Sequence, residues 1–454
     1  MSLFVKDKAF YRKILMIGLP ISAQMIITVG INMMDTIMLG QLDEVALAAS
    51  SMATQVHSLF HYMSMGLAMG AGVLLARFWG AGDRVGIRKS LSLMYRSCIT
   101  VSLLFTLVVS LFTRQVMELL TSESEVIYEG VRYLKWAMPC FCLHGLSQCT
   151  TIALRNFKRV RIPLYSTIAS FFINIFFNWV FIFGKLGAPA MGVAGAALGT
   201  LISRSFEFAF ICGYFFLREK NVCFRPREIF IPCGDLANEY FRIALPVMVS
   251  DTLLGIGNRA TAMVAGRNGT VYRSANSITM MTQQISQIFS VGLGQASCII
   301  TGNTLGEGDT EKAYRQGVCL TAIGFLVGAA CGAVIASLAG VVVSAYKVEA
   351  ETKQMAVSLM YAISVLVIFL LPNSIMTKGV LRGGGDTRFL MFADVIFLWI
   401  VSVPLGWLAA FVFHWSAPAI FVCLRLDCVI KAIWCVFRLR SRKWIRVIRT
   451  SKAV

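Results

Sequence analysis

The chain has 454 residues, 57% hydrophobic and 14% charged, with a mean hydropathy of +0.72 and a formal net charge of +19. Soluble domains sit near about 45–50% apolar and about 25% charged, which argues against a water-soluble enzyme. The apolar residues also fall in long runs, and about 20 of them cross a ~30 Å hydrocarbon core as one helix. The expectation is an all-α, multi-pass membrane protein.

Twelve spans are predicted, at 14–39, 47–76, 90–112, 129–152, 163–184, 192–217, 240–265, 275–302, 317–346, 354–377, 389–413 and 416–437. The first is too long for a signal-peptide core and lacks a following cleavage site, so it reads as an uncleaved span. Lys6, Lys8, Arg12 and Lys13 precede it. Arg84, Arg88 and Lys89 follow span 2. Arg155, Lys158, Arg159 and Arg161 follow span 4, and Arg218, Lys220, Arg225 and Arg227 follow span 6. The tail adds Arg438, Arg440, Arg442, Lys443, Arg446 and Arg449. The alternate loops are acidic or poorer in positive charge, with Asp43, Glu44, Glu118, Glu123 and Glu125. Arg267 and Arg273 are the main exceptions, and Arg114, Lys185 and Lys347 are single ones. Positive charge resists translocation, so both termini are expected in the cytoplasm, which requires an even number of spans and agrees with twelve. This placement also explains the net charge without a nucleic-acid partner.

The predicted organisation is a six-helix lobe at 1–217, a cytoplasmic linker at 218–239, a second six-helix lobe at 240–437 and a basic cytoplasmic tail at 438–454. The linker is the most polar internal stretch and holds Pro226 and Pro232. Of the 13 cysteines, Cys98, Cys149, Cys212, Cys298, Cys319 and Cys331 lie inside apolar runs, and no CxxC pair occurs. They read as small apolar residues, with no disulfide framework and no metal site expected.

The two halves repeat. An offset of 226 lays Pro20 on Pro246, Gly40 on Gly266, Gly66 on Gly292, Gly80 on Gly306 and Gly82-Asp83 on Gly308-Asp309. An offset of 227 lays Leu154-Arg155 on Leu381-Arg382 and Arg161 on Arg388. Six spans per half make the repeats parallel, an arrangement that places a substrate cavity between two bundles near the midplane.

Polar side chains within spans are costly and turn toward partners or water. On span 1, Gln24, Thr28, Asn32 and Asp35 form one stripe at about 100° per residue. On span 5, Asn174 and Asn178 share a face. A carboxylate with two amides suits a proton or Na⁺, because burial favours the neutral carboxyl and a nearby cation favours the ionised one. Asp251 and Asn258 share a face of span 7, where Asp251 is read either as a cavity residue or as the partner of a buried Arg. Glu207 with Arg204, and Asp394, are read as structural ion pairs. His57 and His61 have the i, i+4 spacing of metal ligands, but the repeat maps them onto Gln283 and Gln287, so all four read as cavity lining. Gly324, Gly328 and Gly332, with Gly195 and Gly199, are packing signals. Gly383-Gly384-Gly385-Asp386 lacks the Lys-Ser/Thr of a phosphate loop, so no ATP motor is present in the sequence.

These residues resemble the multidrug and toxic compound extrusion (MATE) family. The resemblance rests on Pro20 with Gln24, Asp35-Thr36 to Gly40, Asn174 through Asn178 to Gly184, and Gly192 to Thr200. It continues at Leu245-Pro246, Gly257-Asn258 and Leu381 to Arg388, with the run Val380 to Thr387 closest to bacterial members. It implies a V-shaped pair of six-helix lobes, alternating access, and export of organic cations against inward H⁺ or Na⁺. The family's acidic residue on span 1 falls on Asp35 and its two polar residues on span 5 fall on Asn174 and Asn178. In some members the second is Asp, so Asn178 removes one negative charge. One branch carries a Glu on span 7; here the nearest acid is Asp251, about a turn away.

The resulting expectation is an ion-coupled multidrug exporter of the bacterial inner membrane, not an enzyme, acting as a monomer on small organic substrates. Asp35, Asn174 and Asn178 bind the coupling ion. Gln24, Thr28, Asn32, Thr200, His57, His61, Asp251, Asn258, Gln283 and Gln287 line the cavity. No cofactor is expected beyond H⁺ or Na⁺. The rival is a flippase for a lipid-linked glycan, which would need Arg or Lys to hold a pyrophosphate.

Overall fold

A computed structural model describes residues 5–266, 269–346 and 348–446. Arg267, Lys347 and Arg449 from the charge pattern, and 447–454 of the predicted tail, lie outside the described residues. The described chain is helical, with no strand among these residues. It forms two compact units.

One unit comprises Ala23–Leu75 and Asp83–Met248. It takes the C-terminal part of α1 (Lys8–Gly40), most of α2 (Glu44–Ala81), and α3 (Arg84–Leu111), α4 (Thr113–Glu118), α5 (Ser124–Asn156), α6 (Arg161–Phe183) and α7 (Val193–Arg218). A 3₁₀ turn at Pro226–Phe230 and the start of α8 (Gly234–Gly266) complete it. Phe60, Phe141, Leu134 and Met117 form part of its core. The predicted linker segment packs against α3: the Ser92 hydroxyl donates to Ile229 O at 2.6 Å, and Lys89 pairs with Asp235 at 2.8 Å.

The other unit comprises the described residues of Met1–Ser22, Ala76–Gly82 and Val249–Val454. It contains α9 (Thr270–Gly306), α10 (Thr310–Ser344), α11 (Ala350–Ser374), α12 (Leu381–Gly383), α13 (Thr387–Val395), α14 (Val403–Phe411), α15 (Ala417–Cys423) and α16 (Leu426–Arg440). Two π-helical turns, Ile375–Val380 and Ile396–Ser402, join α11 to α12 and α13 to α14. The predicted glycine stripe packs as expected. Gly324, Gly328 and Gly332 of α10 face the backbone of Pro372, Ile368 and Ser364 on α11, where a side chain would collide.

Ten helical stretches among the described residues are long and apolar enough to cross a membrane. The predicted fourth and twelfth spans are not among them. The fourth falls on α5, which carries Glu129, Arg132, Lys135, His144 and Gln148. The twelfth, expected as one helix, is divided between α15 and α16, with Arg425 at the break.

The repeat detected in the sequence has a local physical meaning. Gly82 and Gly308 both take positive φ, at 66° and 90°, which a Cβ disfavours. The following aspartates then cap α3 and α10 in the same way. Asp83 Oδ1 accepts from Gly86 N at 2.9 Å and Asp309 Oδ1 from Lys312 N at 2.8 Å.

Candidate functional site

In the unit built on Ala23–Leu75 and Asp83–Met248, the polar stripe of α1 opens onto a cavity of about 240 Å³. Gln24, Thr28, Asn32 and Asp35 line it from α1, His57 and His61 from α2, Asn174 from α6 and Thr200 from α7. Eight of the predicted residues are thus brought to one cavity, and Asn178 adjoins them through Asp35.

Asn178 Nδ2 donates to Asp35 Oδ1 at 2.5 Å and to Asn174 Oδ1 at 3.3 Å. The four-residue spacing on α6 puts the two amides one above the other, so Asn174 holds Asn178 and Asn178 holds the carboxylate. Both are buried, and Asn174 Nδ2 and Asn178 Oδ1 have no hydrogen-bond partner among the described residues. Gly199 of α7 lies directly against Asn178, where any side chain would strike the amide oxygen.

Further lining groups that the sequence does not place in the cavity include Arg155, Arg204, Glu207, His144 and Gln148. Arg155 corrects an expectation. Its position in the sequence makes it a cytoplasmic loop residue, but it sits in the last turn of α5, is 3% exposed, and donates through Nη2 to Gln24 Oε1 at 2.5 Å. Gln24 in turn donates to Thr167 Oγ1 at 2.9 Å. Arg204 and Glu207 form the expected ion pair, at 2.6 Å, and it lines this cavity. His61 Nδ1 and His144 Nε2 lie 3.0 Å apart, and Gln148 Nε2 is 3.3 Å from the same His61 nitrogen. His144 and Gln148 are four apart on α5 and share a face, which the other polar residues of that helix obscure in the sequence.

The charges of the cavity divide simply. Glu207 has Arg204, and Arg155 has the amide of Gln24. Asp35 is held only by an amide: no cation lies within 4.0 Å of it among the described residues. A partly exposed carboxylate beside carboxamides can take up a proton or a hard cation through oxygen atoms.

Asp251, Asn258, Gln283 and Gln287 belong to the other unit and do not line this cavity. Of the two readings of Asp251, the structure displays the Arg pair: Arg382 Nη2 and Nη1 donate to its two oxygens at 2.9 and 3.2 Å. Asp394 pairs with Lys431 at 2.8 Å and accepts from the Ser250 hydroxyl. Asn258 and Gln287 are exposed, whereas Gln283 is buried with neither amide atom bonded among the described residues.

A profile of the MatE family matches the chain twice, over residues 20–180 and 246–408, with the starts 226 positions apart. The chain belongs to the MatE family. The double match places one copy in each half, at the offset of the internal repeat. A "Probable multidrug resistance protein NorM" from Agrobacterium fabrum is 27% identical over 414 residues, covering 88% of this chain and 87% of its own. A protein of the same name from Thermotoga maritima is 23% identical, covering 95% and 93%. Among solved structures, "Crystal structure of MATE in the bent conformation" matches with a TM-score of 0.86 at 18% identity, covering 96% of each chain. "Outward-facing conformation of a multidrug resistance MATE family transporter of the MOP superfamily" matches with a TM-score of 0.84 at 19% identity, over 95% and 96%. At these identities the structural matches establish the fold.

Proposed function

We propose that this MatE protein is a secondary active multidrug exporter, carrying organic, often cationic compounds outward in exchange for inward H⁺ or Na⁺ by alternating access. The observation that carries this reading is Asp35, an intramembrane carboxylate held by amides and left without a cation in a polar cavity. Such a group is electrically incomplete: it is neutralised by a proton, by Na⁺ or by a cationic substrate, and these exclude one another. Asn174 and Asn178 fix its position, while Gln24, Thr28, Asn32, Thr200, His57 and His61 give the cavity its hydrogen-bonding surface. Ion binding must favour one conformation over the other, because a ligand with equal affinity for both shifts nothing.

In this reading the ten long apolar helices, with α5 and the α15–α16 pair, make twelve crossings with both termini in the cytoplasm. The lobes are 1–217 and 240–437, joined through 218–239, and the protein acts as a monomer in a bacterial inner membrane without a cofactor. The relatives named for multidrug resistance support the substrate class. Expression in an efflux-deficient bacterium tests it: tolerance to several chemically distinct organic cations should rise with the wild type and not with Asp35→Asn. Unchanged tolerance to all of them at confirmed expression would contradict the exporter reading.

A further inference from the structure

The unit built on Val249–Val454 concentrates charge inside its helices, and a census of partners leaves one group over. Asp251 is held by both terminal nitrogens of Arg382. Asp394 is held by Lys431, whose ammonium also lies 3.7 Å from Asp427. The side chains of Arg382, Asp394 and Lys431 are each no more than 5% exposed. Lys378 has no ion pair within 4.0 Å and no hydrogen bond among the described residues, and it is partly exposed.

Its surroundings are charged. Lys378 lies on the π-helical turn Ile375–Val380, and the charges that act on it are Asp251 on α8, Arg382 on α12, Asp394 on α13 and Lys431 on α16. Helices on several sides therefore carry charges that act on it, and its Cβ lies against Gly294 of α9. Asp251–Arg382 and Asp394–Lys431 are each held within 3 Å, so they act on Lys378 largely as dipoles rather than as separate charges. Every carboxylate near the lysine is already bonded to another cation. The repeat offers no precedent: the offset of 227 places Lys378 on Thr151, an uncharged residue. An unpaired cation inside a membrane domain is costly, and such groups mark ligand or ion pathways.

We infer that Lys378 is a binding site for an anionic group, a carboxylate above all, carried by a small organic ligand. This deepens the exporter reading by assigning Lys378 to the anionic group of a ligand, and it rests on that reading only in treating the ligand as cargo. The ammonium contributes one charge-assisted hydrogen bond to an oxyanion, while the neighbouring carboxylates stay with Arg382 and Lys431.

The test is equilibrium binding to the purified full-length protein in detergent, with no gradient applied. Rhodamine B, which carries a carboxylate, is compared with its cationic ethyl ester by fluorescence anisotropy. Lys378→Met should weaken binding of the acid about tenfold or more and leave the ester within about twofold, while Lys378→Arg retains the acid. Equal weakening of both dyes, or of neither, would overturn the inference. Lys378→Gln replaces the Met variant if the latter fails to fold. If the wild type binds neither dye, the exporter reading is the one that fails, and the lysine is tested with benzoate alone. Benzoate should then raise the Tm of the wild type and not of Lys378→Met; no rise in either would overturn the site.

Discussion

Arg155 reaches Gln24 across 131 residues of chain, and Arg382 reaches Asp251 across the same separation. The two contacts are one residue apart in the register of the repeat: Pro20 and Gly40 align at 226, which places Gln24 on Ser250, while Arg155 aligns with Arg382 at 227. The same offset lays Thr167 on Asp394, Thr200 on Asp427 and Arg204 on Lys431. Where the first half has Thr and Thr, the second has two aspartates, tied up by Lys431. Asp35 falls on Thr261 at the offset of 226 that aligns Pro20 and Gly40, and Asn174 and Asn178 fall on Val401 and Leu405 at 227, so the amide-held carboxylate is particular to the first half.

Removing Arg382 from its carboxylate should cost more than removing the amide partner of Arg155. Arg382→Met strands Asp251 and should destabilise the unit by about 3–5 kcal/mol. Gln24→Leu removes one hydrogen bond to Arg155 and should cost about 1.5–3 kcal/mol. Thermal unfolding in detergent reads both. The double variant Asp251→Asn with Arg382→Met should recover much of the loss, because no uncompensated charge is left.

Glycine at 199 is a requirement of the site, not only of packing. A methyl group there meets Asn178, so Gly199→Ala should displace the amide from Asp35 and reduce transport strongly, at an overpacking cost of about 1–3 kcal/mol. Gly213 on the same helix has open space, so Gly213→Ala should fold and transport normally, with a gain of roughly 0.5–1 kcal/mol from helix propensity. Comparing transport by the two variants checks the assignment.

The repeated caps should respond alike. Asp83→Ala and Asp309→Ala each remove a side-chain acceptor at a helix start, for about 1 kcal/mol apiece. The unfolding temperature should fall by a small and similar amount in both, with transport retained.

The sequence made visible what depends on periodicity and offset. The stripe from Gln24 to Asp35 and the Asn174–Asn178 pair follow from helical spacing, and the offset of 226 found both turn glycines and both caps. What stayed hidden depends on side-chain direction. Arg155 counts as a loop charge by position, yet its guanidinium points back into the cavity, because an arginine in the last turn of a helix can extend either way. His144 and Gln148 sit on α5, whose other polar residues obscure the face they share. Arg425 marks where the predicted twelfth span divides, which a hydropathy window averages over.

The central claim is that Asp35 couples transport to an ion gradient. Inside-out proteoliposomes loaded with the purified protein should take up a fluorescent organic cation under an imposed pH gradient or an imposed Na⁺ gradient, and not without one. Uptake driven by one gradient names the ion, and its loss in Asp35→Asn at equal reconstitution assigns the site. Undiminished gradient-driven uptake by Asp35→Asn would contradict the role given to this carboxylate.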